Sequence, residues 1–545
     1  MNSILLVVVL VLVSGSYSSN LIHLDMHRRD VPSSRLFNHA RRPWAPPSTQ
    51  APIKALRTNH LSAQELKGSI VPLGEYYITL LFGGQPINVQ VDTGSSTIAV
   101  PLLQCVNCVQ NNHRFDISKA VGEAGLIPCD SSMCRPNSCS ATGQCTTCSQ
   151  KTRACCSDLA PKACGFYLSY ADQSGVGGAL AVADVEIANI KVRQAFGAVL
   201  GETDDFEVNN VDGIFGMAYP LLACNPTCVK PLFDTILSEG LVERDVFSHC
   251  LADQGGTLVL GGSNPDLYRG HLQYVPIAHG GVKLFYGVRL QGVKIGGKTV
   301  KLPYFTSGIV DSGTTVLVVT KATYKALRTY FQSNYCHVRG LCVVYQKSRI
   351  GEVDIIRKEA DEINGPHLNS SERAEASTWF SPGVCARLDD KDINALPAIS
   401  ILLDNGVTLD LEPDDYMLHY ESESRLPLGG KVVYRCMGIS PLEGLEHMGN
   451  EAIIGNTVLK KYYVEYDREN ERVGFAEATN CPDQSATKVA EGEPSQAQPE
   501  KGLLPKWLLQ TLTFFSIGVW AYIILACASE SISRQRLRDY SSIPR

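Results

Sequence analysis

Two stretches of this chain hold residues that could do acid–base chemistry, and both follow one plan. The first is Val89-Gln90-Val91-Asp92-Thr93-Gly94-Ser95-Ser96, and the second is Gly308-Ile309-Val310-Asp311-Ser312-Gly313-Thr314-Thr315. In each, an apolar run stops at an Asp, which is followed by a hydroxyl, a glycine and two further hydroxyls. The apolar residues ask for a buried strand, so each carboxylate is delivered at a strand end into dry surroundings. Gly94 and Gly313 allow a tight turn, and Ser95 and Thr314 offer hydroxyls that can hydrogen-bond and orient a carboxylate oxygen. If the two turns face each other, the acids share one proton, because like charges in contact cannot both ionise. One acid then serves as base while its neighbour serves as acid. Such a couple can take a proton from water as it attacks a peptide carbonyl and can protonate the carbonyl oxygen, with no covalent intermediate. Its apparent pKa values belong to the pair.

Each half contains a second echo, Val211-Asp212-Gly213-Ile214-Phe215-Gly216 and Glu451-Ala452-Ile453-Ile454-Gly455-Asn456, an apolar pair closed by glycine. Taken singly, such turns and strands occur in any β protein; repeated in the same order, they indicate an internal duplication. The elements that must position the acids are strands. Residues 75–82 alternate as one, Gly83-Gly84 reads as a turn, and residues 87–91 lead into Asp92. Further strands are expected at 274–277 and 285–295, an amphipathic helix at 231–237, and a helix at 321–331 capped by Thr320, with Tyr324, Leu327 and Phe331 facing the core.

With 545 residues, 44% of them hydrophobic and 19% charged, the chain can bury a large core. A net charge of −6 leaves no basic surface for nucleic acid. Residues 1–19 read as a signal peptide, an aliphatic core followed by small residues. Residues 20–67 are basic, with Arg28, Arg29, Arg35, Arg41, Arg42, Lys54, Arg57 and Lys67 against Asp25, Asp30 and Glu65. Such a segment could lie across the acidic cleft as a pro-segment, with Arg28-Arg29 and Arg41-Arg42 as processing sites, or could be a polar leader without structure.

Between residues 105 and 164 stand ten cysteines, Cys105, Cys108, Cys129, Cys134, Cys139, Cys145, Cys148, Cys155, Cys156 and Cys164. Two Cys-x-x-Cys pairs have zinc-ligand spacing, but in the oxidising secretory compartment disulfides are the expected outcome, and no metal or cofactor is called for. With Cys224, Cys228, Cys250, Cys336, Cys342, Cys385, Cys436 and Cys481 they make eighteen, an even number. Asn369-Ser370-Ser371 is a glycosylation sequon. Residues 482–505 read as a flexible stalk, 506–528 as an apolar transmembrane helix, and 529–545 as a cytosolic tail with Arg534, Arg536 and Arg538 next to the membrane. The topology is type I, and Cys527 falls at the cytosolic end. The arginines serve as a stop-transfer flank or as a retrieval signal to the endoplasmic reticulum.

From about Gly74 to Cys481 the chain resembles the pepsin-type aspartic proteases. Asp92 and Asp311 match that family's catalytic aspartates, Ser95 and Thr314 match the hydroxyls that hold them, and Tyr170, in Leu168-Ser169-Tyr170-Ala171-Asp172, looks like its flap tyrosine. The ending, Tyr462-Tyr463-Val464-Glu465-Tyr466-Asp467-Arg468 and then Val473-Gly474-Phe475-Ala476, is similar to the family's last strands. The resemblance implies an all-β, bilobal fold: an N-terminal lobe at 68–265 containing the cysteine-rich insertion, a C-terminal lobe at 266–481, and a cleft between them closed by a hairpin. It also implies a pairing of Cys336 or Cys342 with Cys385. One departure is Ala99, where pepsin has a tryptophan in contact with the flap tyrosine; β-secretase is similar in having alanine there. The insertion looks like that of the nepenthesin-type and plasmepsin V groups.

The expected function is that of a monomeric, membrane-anchored aspartic endopeptidase acting on polypeptides of the secretory pathway, one that processes exported proteins. The alternatives are a sheddase of the β-secretase kind and a peptide-binding protein of the same fold without activity. A disulfide-stapled receptor ectodomain would have no use for the duplicated acid turns.

Overall fold

The apolar alternation before each Asp becomes strand. The computed structural model describes residues 22–29 and 75–482, apart from 109–112, 141–144, 170–174, 189, 203–210, 225, 254, 343–354, 358–377, 383, 424–430, 443–444 and 446–448. Glu75–Phe82 and Gln85–Asp92 form an antiparallel hairpin with Leu80 opposite Ile87. Its turn is made by Gly83 and Gly84, whose φ values of 50° and 80° lie in the left-handed region that favours glycine.

The Asp92 strand pairs in parallel with Gly213–Gly216, which is antiparallel to Ile98–Pro101. The downstream half repeats this arrangement: Ser307–Val310 runs parallel to Ala452–Ile454, itself antiparallel to Leu317–Thr320. Both echo segments therefore lie directly beside an Asp strand. The glycines that close them are required by close approach. A Cβ on Gly216 would stand 2.5 Å from the Thr97 amide nitrogen, and one on Gly455 would stand 2.3 Å from the Val316 carbonyl oxygen.

A fourteen-stranded sheet runs through both halves of the chain. Val246–Ala252 pairs on one side with Gly255–Leu260 and on the other with Tyr462–Asp467, to which Arg472–Ala478 and Tyr268–Pro276 are added in turn. Strands on either side of the expected boundary at 265/266 thus belong to one sheet, and a single hydrophobic core cluster extends from Leu24 to Phe475. An eight-stranded sheet and a four-stranded sheet complete the downstream half. Helices are few and short. Leu232–Ser238 packs Leu232, Phe233 and Ile236 inward, and Lys321–Asn334 buries Tyr324, Leu327 and Phe331. Thr320 caps the second, its hydroxyl accepting from the Thr323 amide at 3.2 Å.

Of the basic leader, residues 22–29 are described. Ile22–Arg29 is a strand inside the large sheet, its residues 22–26 antiparallel to Gly255–Leu260 and its residues 27–29 antiparallel to the start of Glu75–Phe82. Leu24 and Met26 are buried, so alternate positions of a segment read as polar supply core. Arg28-Arg29, expected as a processing site, is paired within this strand, opposite Tyr76 and Glu75.

The eighteen cysteines from Cys105 to Cys481 form nine disulfides. Within the insertion the pairs are Cys105–Cys108, Cys129–Cys156, Cys134–Cys164, Cys139–Cys148 and Cys145–Cys155. Beyond it they are Cys224–Cys228, Cys250–Cys481, Cys336–Cys342 and Cys385–Cys436. The expected partner of Cys385 is thereby corrected. Cys385 and Cys436 lie opposite each other on neighbouring antiparallel strands, which leaves Cys336 and Cys342 to close a short loop after the Lys321–Asn334 helix.

Among the described residues no helix is long and apolar enough to cross a membrane. The signal peptide, Asn369, the stalk, the apolar run at 506–528 and the tail all lie outside those residues.

Candidate active site

Asp92 and Asp311 end their strands at the junction of the two halves, in hydrogen-bonding contact with each other and only 6% and 7% exposed. Each carboxyl is held by its own loop in the same way. Gly94 N donates to Asp92 Oδ1 and Gly313 N donates to Asp311 Oδ1, both at 2.8 Å. Ser95 Oγ donates to Asp92 Oδ2, and Thr314 Oγ1 donates to Asp311 Oδ2 at 2.6 Å. A donor on each oxygen fixes the plane of the carboxylate.

The two glycines have a second role that sequence reasoning did not reach. Each lies against the carboxyl of the other loop: a Cβ on Gly94 would meet Asp311 Oδ2 at 2.6 Å, and one on Gly313 would meet Asp92 Oδ1 at 2.2 Å. The missing side chains are what let the acids approach. The turn explanation accounts for local backbone freedom; the cross-loop contact accounts for the pair.

Also missed were Thr93 and Ser312, the hydroxyls directly after each Asp. Thr93 N donates to Ser312 Oγ at 3.2 Å, and Ser312 N donates to Thr93 Oγ1 at 2.9 Å. Each hydroxyl then crosses to the opposite strand, Thr93 Oγ1 to the Val310 carbonyl at 3.0 Å and Ser312 Oγ to the Val91 carbonyl at 2.7 Å. The signal was present in the repeat, a hydroxyl at the same frame position twice. Its meaning was not, because reciprocal bonding is visible only when the loops face each other. A further tie binds the halves, with Gln90 Nε2 donating to the Gly313 carbonyl at 3.0 Å; within the downstream half Asn456 Nδ2 donates to the Ser312 carbonyl at 2.9 Å.

Burial, with the Asp311 charge adding to it, pushes the Asp92 carboxyl well above the ordinary carboxylate range, while the Ser95 and Gly94 hydrogen bonds pull the other way. A pair that keeps one proton at moderate pH is the outcome. The acids thus have the geometry and the protonation needed to give and take a proton across one small space.

Gly165–Ser169 and Gly175–Ile187 form a hairpin, paired from Gly165↔Ala179 to Ser169↔Gly175. Tyr170 belongs to the residues 170–174 that join these strands and lies outside the described residues. Ala99 is buried, opposite Ile214 and alongside Gly197. The insertion ends at the hairpin's base: Cys164, bonded to Cys134, immediately precedes Gly165, and its amide donates to the Ile127 carbonyl at 2.8 Å. The zinc alternative has no free thiolates among these ten cysteines, since all are in disulfides.

Known proteins of similar sequence are found over most of the chain. The family model of the eukaryotic aspartyl proteases matches residues 75–478. Cathepsin D of Clupea harengus is 26% identical over 447 residues, covering 79% of this chain and 86% of that protein. Human cathepsin D is 28% identical over 448 residues, covering 79% and 85%. Pepsin A of Gallus gallus is 25% identical over 411 residues, covering 74% and 83%.

Proposed function

The chain belongs to the eukaryotic aspartyl protease family and is an aspartic endopeptidase, and we propose from that premise that Asp92 and Asp311 are the catalytic pair of a membrane-tethered processing protease. The observation that carries the assignment is the mutual contact of the two carboxyls, each with a matching pair of donors. In the reaction the ionised member takes a proton from water while the water oxygen bonds to the scissile carbonyl carbon. The protonated member gives its proton to the carbonyl oxygen. The tetrahedral diol then collapses: the C–N bond breaks, the amine nitrogen receives a proton from the pair, and a diol proton returns to it, restoring the starting state. An extended polypeptide adds as a strand beneath the hairpin, with side-chain pockets setting preference.

Nine disulfides favour a lumenal or extracellular catalytic region. The apolar run at 506–528 with arginines after it supports a type I anchor, and the cysteine-rich insertion favours a resident processing enzyme over a sheddase. The test is proteomic-scale peptide profiling of the purified lumenal region from pH 4 to 7, beside Asp311→Asn. Cutting by the parent and at least a hundred-fold loss in the variant are expected. Cutting that survives in Asp311→Asn would overturn the pair. Residues common to the cut sites distinguish a processing enzyme, with a narrow motif, from a sheddase, with cuts set mainly by nearness to a membrane.

A further inference from the structure

Beneath the interlocked loops a second line of hydrogen bonds runs into the large sheet. His249, on the strand Val246–Ala252, is fully buried; its Nε2 lies 3.1 Å from Tyr466 Oη, on the neighbouring strand Tyr462–Asp467. That hydroxyl lies 3.4 Å from Thr93 Oγ1. The proton inventory gives the line one direction. Thr93 spends its only hydroxyl proton on the Val310 carbonyl and already accepts from Ser312 N, so its contact with Tyr466 is a further acceptance. Tyr466 therefore donates to Thr93 and accepts from His249, which carries its proton on Nε2. The other ring nitrogen has no hydrogen-bond partner among the described residues, and a buried N–H left unpaired there would cost more than an unpaired acceptor, which favours the proton on Nε2. The line reads His249 Nε2–H to Tyr466 Oη–H to Thr93 Oγ1–H to the Val310 carbonyl, on the strand that ends in Asp311.

The surroundings make this polar line costly as packing. The Tyr466 ring stacks on Phe247 at 4.7 Å and meets Tyr286 edge-on at 4.6 Å, so a phenyl ring would satisfy the aromatic contacts alone. Burial holds His249 neutral, its pKa pushed down to about 3, so the line keeps its direction over the working range of an acid pair.

We propose that His249 and Tyr466 are positioning residues for the acid pair, fixing the Thr93 hydroxyl in the orientation that locks the two loops and so setting the approach of Asp92 to Asp311. The proposal rests on the aspartic endopeptidase reading. With the Tyr466 hydroxyl gone, the Thr93 hydroxyl is free to turn away from Val310, the loops separate slightly, and the shared proton is held less well. Substrate contacts are untouched, so the cost falls on kcat.

The experiment compares the parent with Tyr466→Phe, His249→Phe, His249→Gln and the double phenylalanine variant, on an internally quenched peptide that the parent cuts. Tyr466→Phe should lower kcat about ten-fold with KM within two-fold. His249→Gln, which keeps a donor at the place of Nε2, should stay within two-fold of the parent while His249→Phe does not. The double variant, with both polar atoms replaced by apolar rings, should regain thermal stability without regaining kcat. If kcat returns together with the melting temperature, or if Tyr466→Phe turns over like the parent, the line is packing only and the proposal fails. A parent that cuts no peptide at all refutes the underlying reading instead. Amide exchange of peptides spanning Val91–Ser96 and Val310–Thr315 still decides the proposal in that event: faster exchange in Tyr466→Phe supports it, and unchanged exchange overturns it.

Discussion

At the scale of single residues, the absence of two side chains matters as much as the presence of two acids. Gly313→Ala would place a methyl 2.2 Å from Asp92 Oδ1, and backbone or carboxyl must move to relieve it. We expect kcat/KM to fall at least a hundred-fold while the circular dichroism spectrum stays that of the parent. The acids themselves have a stability cost with a definite sign. The Asp92 carboxyl titrates above its unfolded value of 3.8, so between those two points the folded chain holds a proton that the unfolded chain has released, and stability falls as pH rises. Asp92→Asn never ionises. Its melting temperature should exceed that of the parent at pH 7 and converge with it near pH 4, measured by calorimetry across that range. A variant that is less stable than the parent at pH 7 would show that the Ser95 and Gly94 hydrogen bonds outweigh the burial cost.

At the scale of elements, the strands that carry the acids could be read locally because their requirements are local. A dry strand needs consecutive apolar residues, a tight turn needs glycine, and a buried carboxylate needs hydroxyls within three residues. The echo strands at Gly213–Gly216 and Ala452–Ile454 were legible for the same reason. What could not be read was pairing between distant segments. Ile22–Arg29 alternates Ile22, Leu24 and Met26 with charged or polar residues, and its charges dominated the reading; its place in the sheet depends on an edge offered more than two hundred residues away. The Cys385–Cys436 bridge likewise follows from the register of two strands and not from spacing. One bridge couples the insertion to the hairpin proposed to cover the substrate. The Cys134–Cys164 bridge ends where the hairpin begins, and Gly165 packs so closely that a Cβ would meet Cys156 backbone at 3.1 Å. Removing the bridge by Cys134→Ala with Cys164→Ala should cost about 2–4 kcal/mol of stability. It should also raise KM several-fold more than it lowers kcat, because the hairpin's base loosens while the acids keep their bonds. Steady-state kinetics and denaturant titration check both parts.

At the scale of the whole molecule, the acid pair sits where two similar halves meet, and the large sheet that both halves share lies beneath them. Val246–Ala252 and Tyr462–Asp467, side by side in that sheet, carry His249 and Tyr466. Joining the halves by backbone pairing makes the relative placement of the two acids a property of the sheet as well as of the loops. The Cys250–Cys481 bridge spans 231 residues and ties the same region covalently.

The leader strand has a practical consequence for anyone producing this enzyme. A recombinant chain begun at Gly74, the natural choice from the family match, would lack an interior strand and leave two unpaired sheet edges facing each other, one on Glu75–Phe82 and one on Gly255–Leu260. Such a chain should appear largely in inclusion bodies, whereas one begun at Asn20 stays soluble. A synthetic peptide of residues 20–30 added during refolding should recover part of the loss, and comparing the yield of monomer by gel filtration with and without it measures how much of the molecule's cohesion enters through the strand Ile22–Arg29.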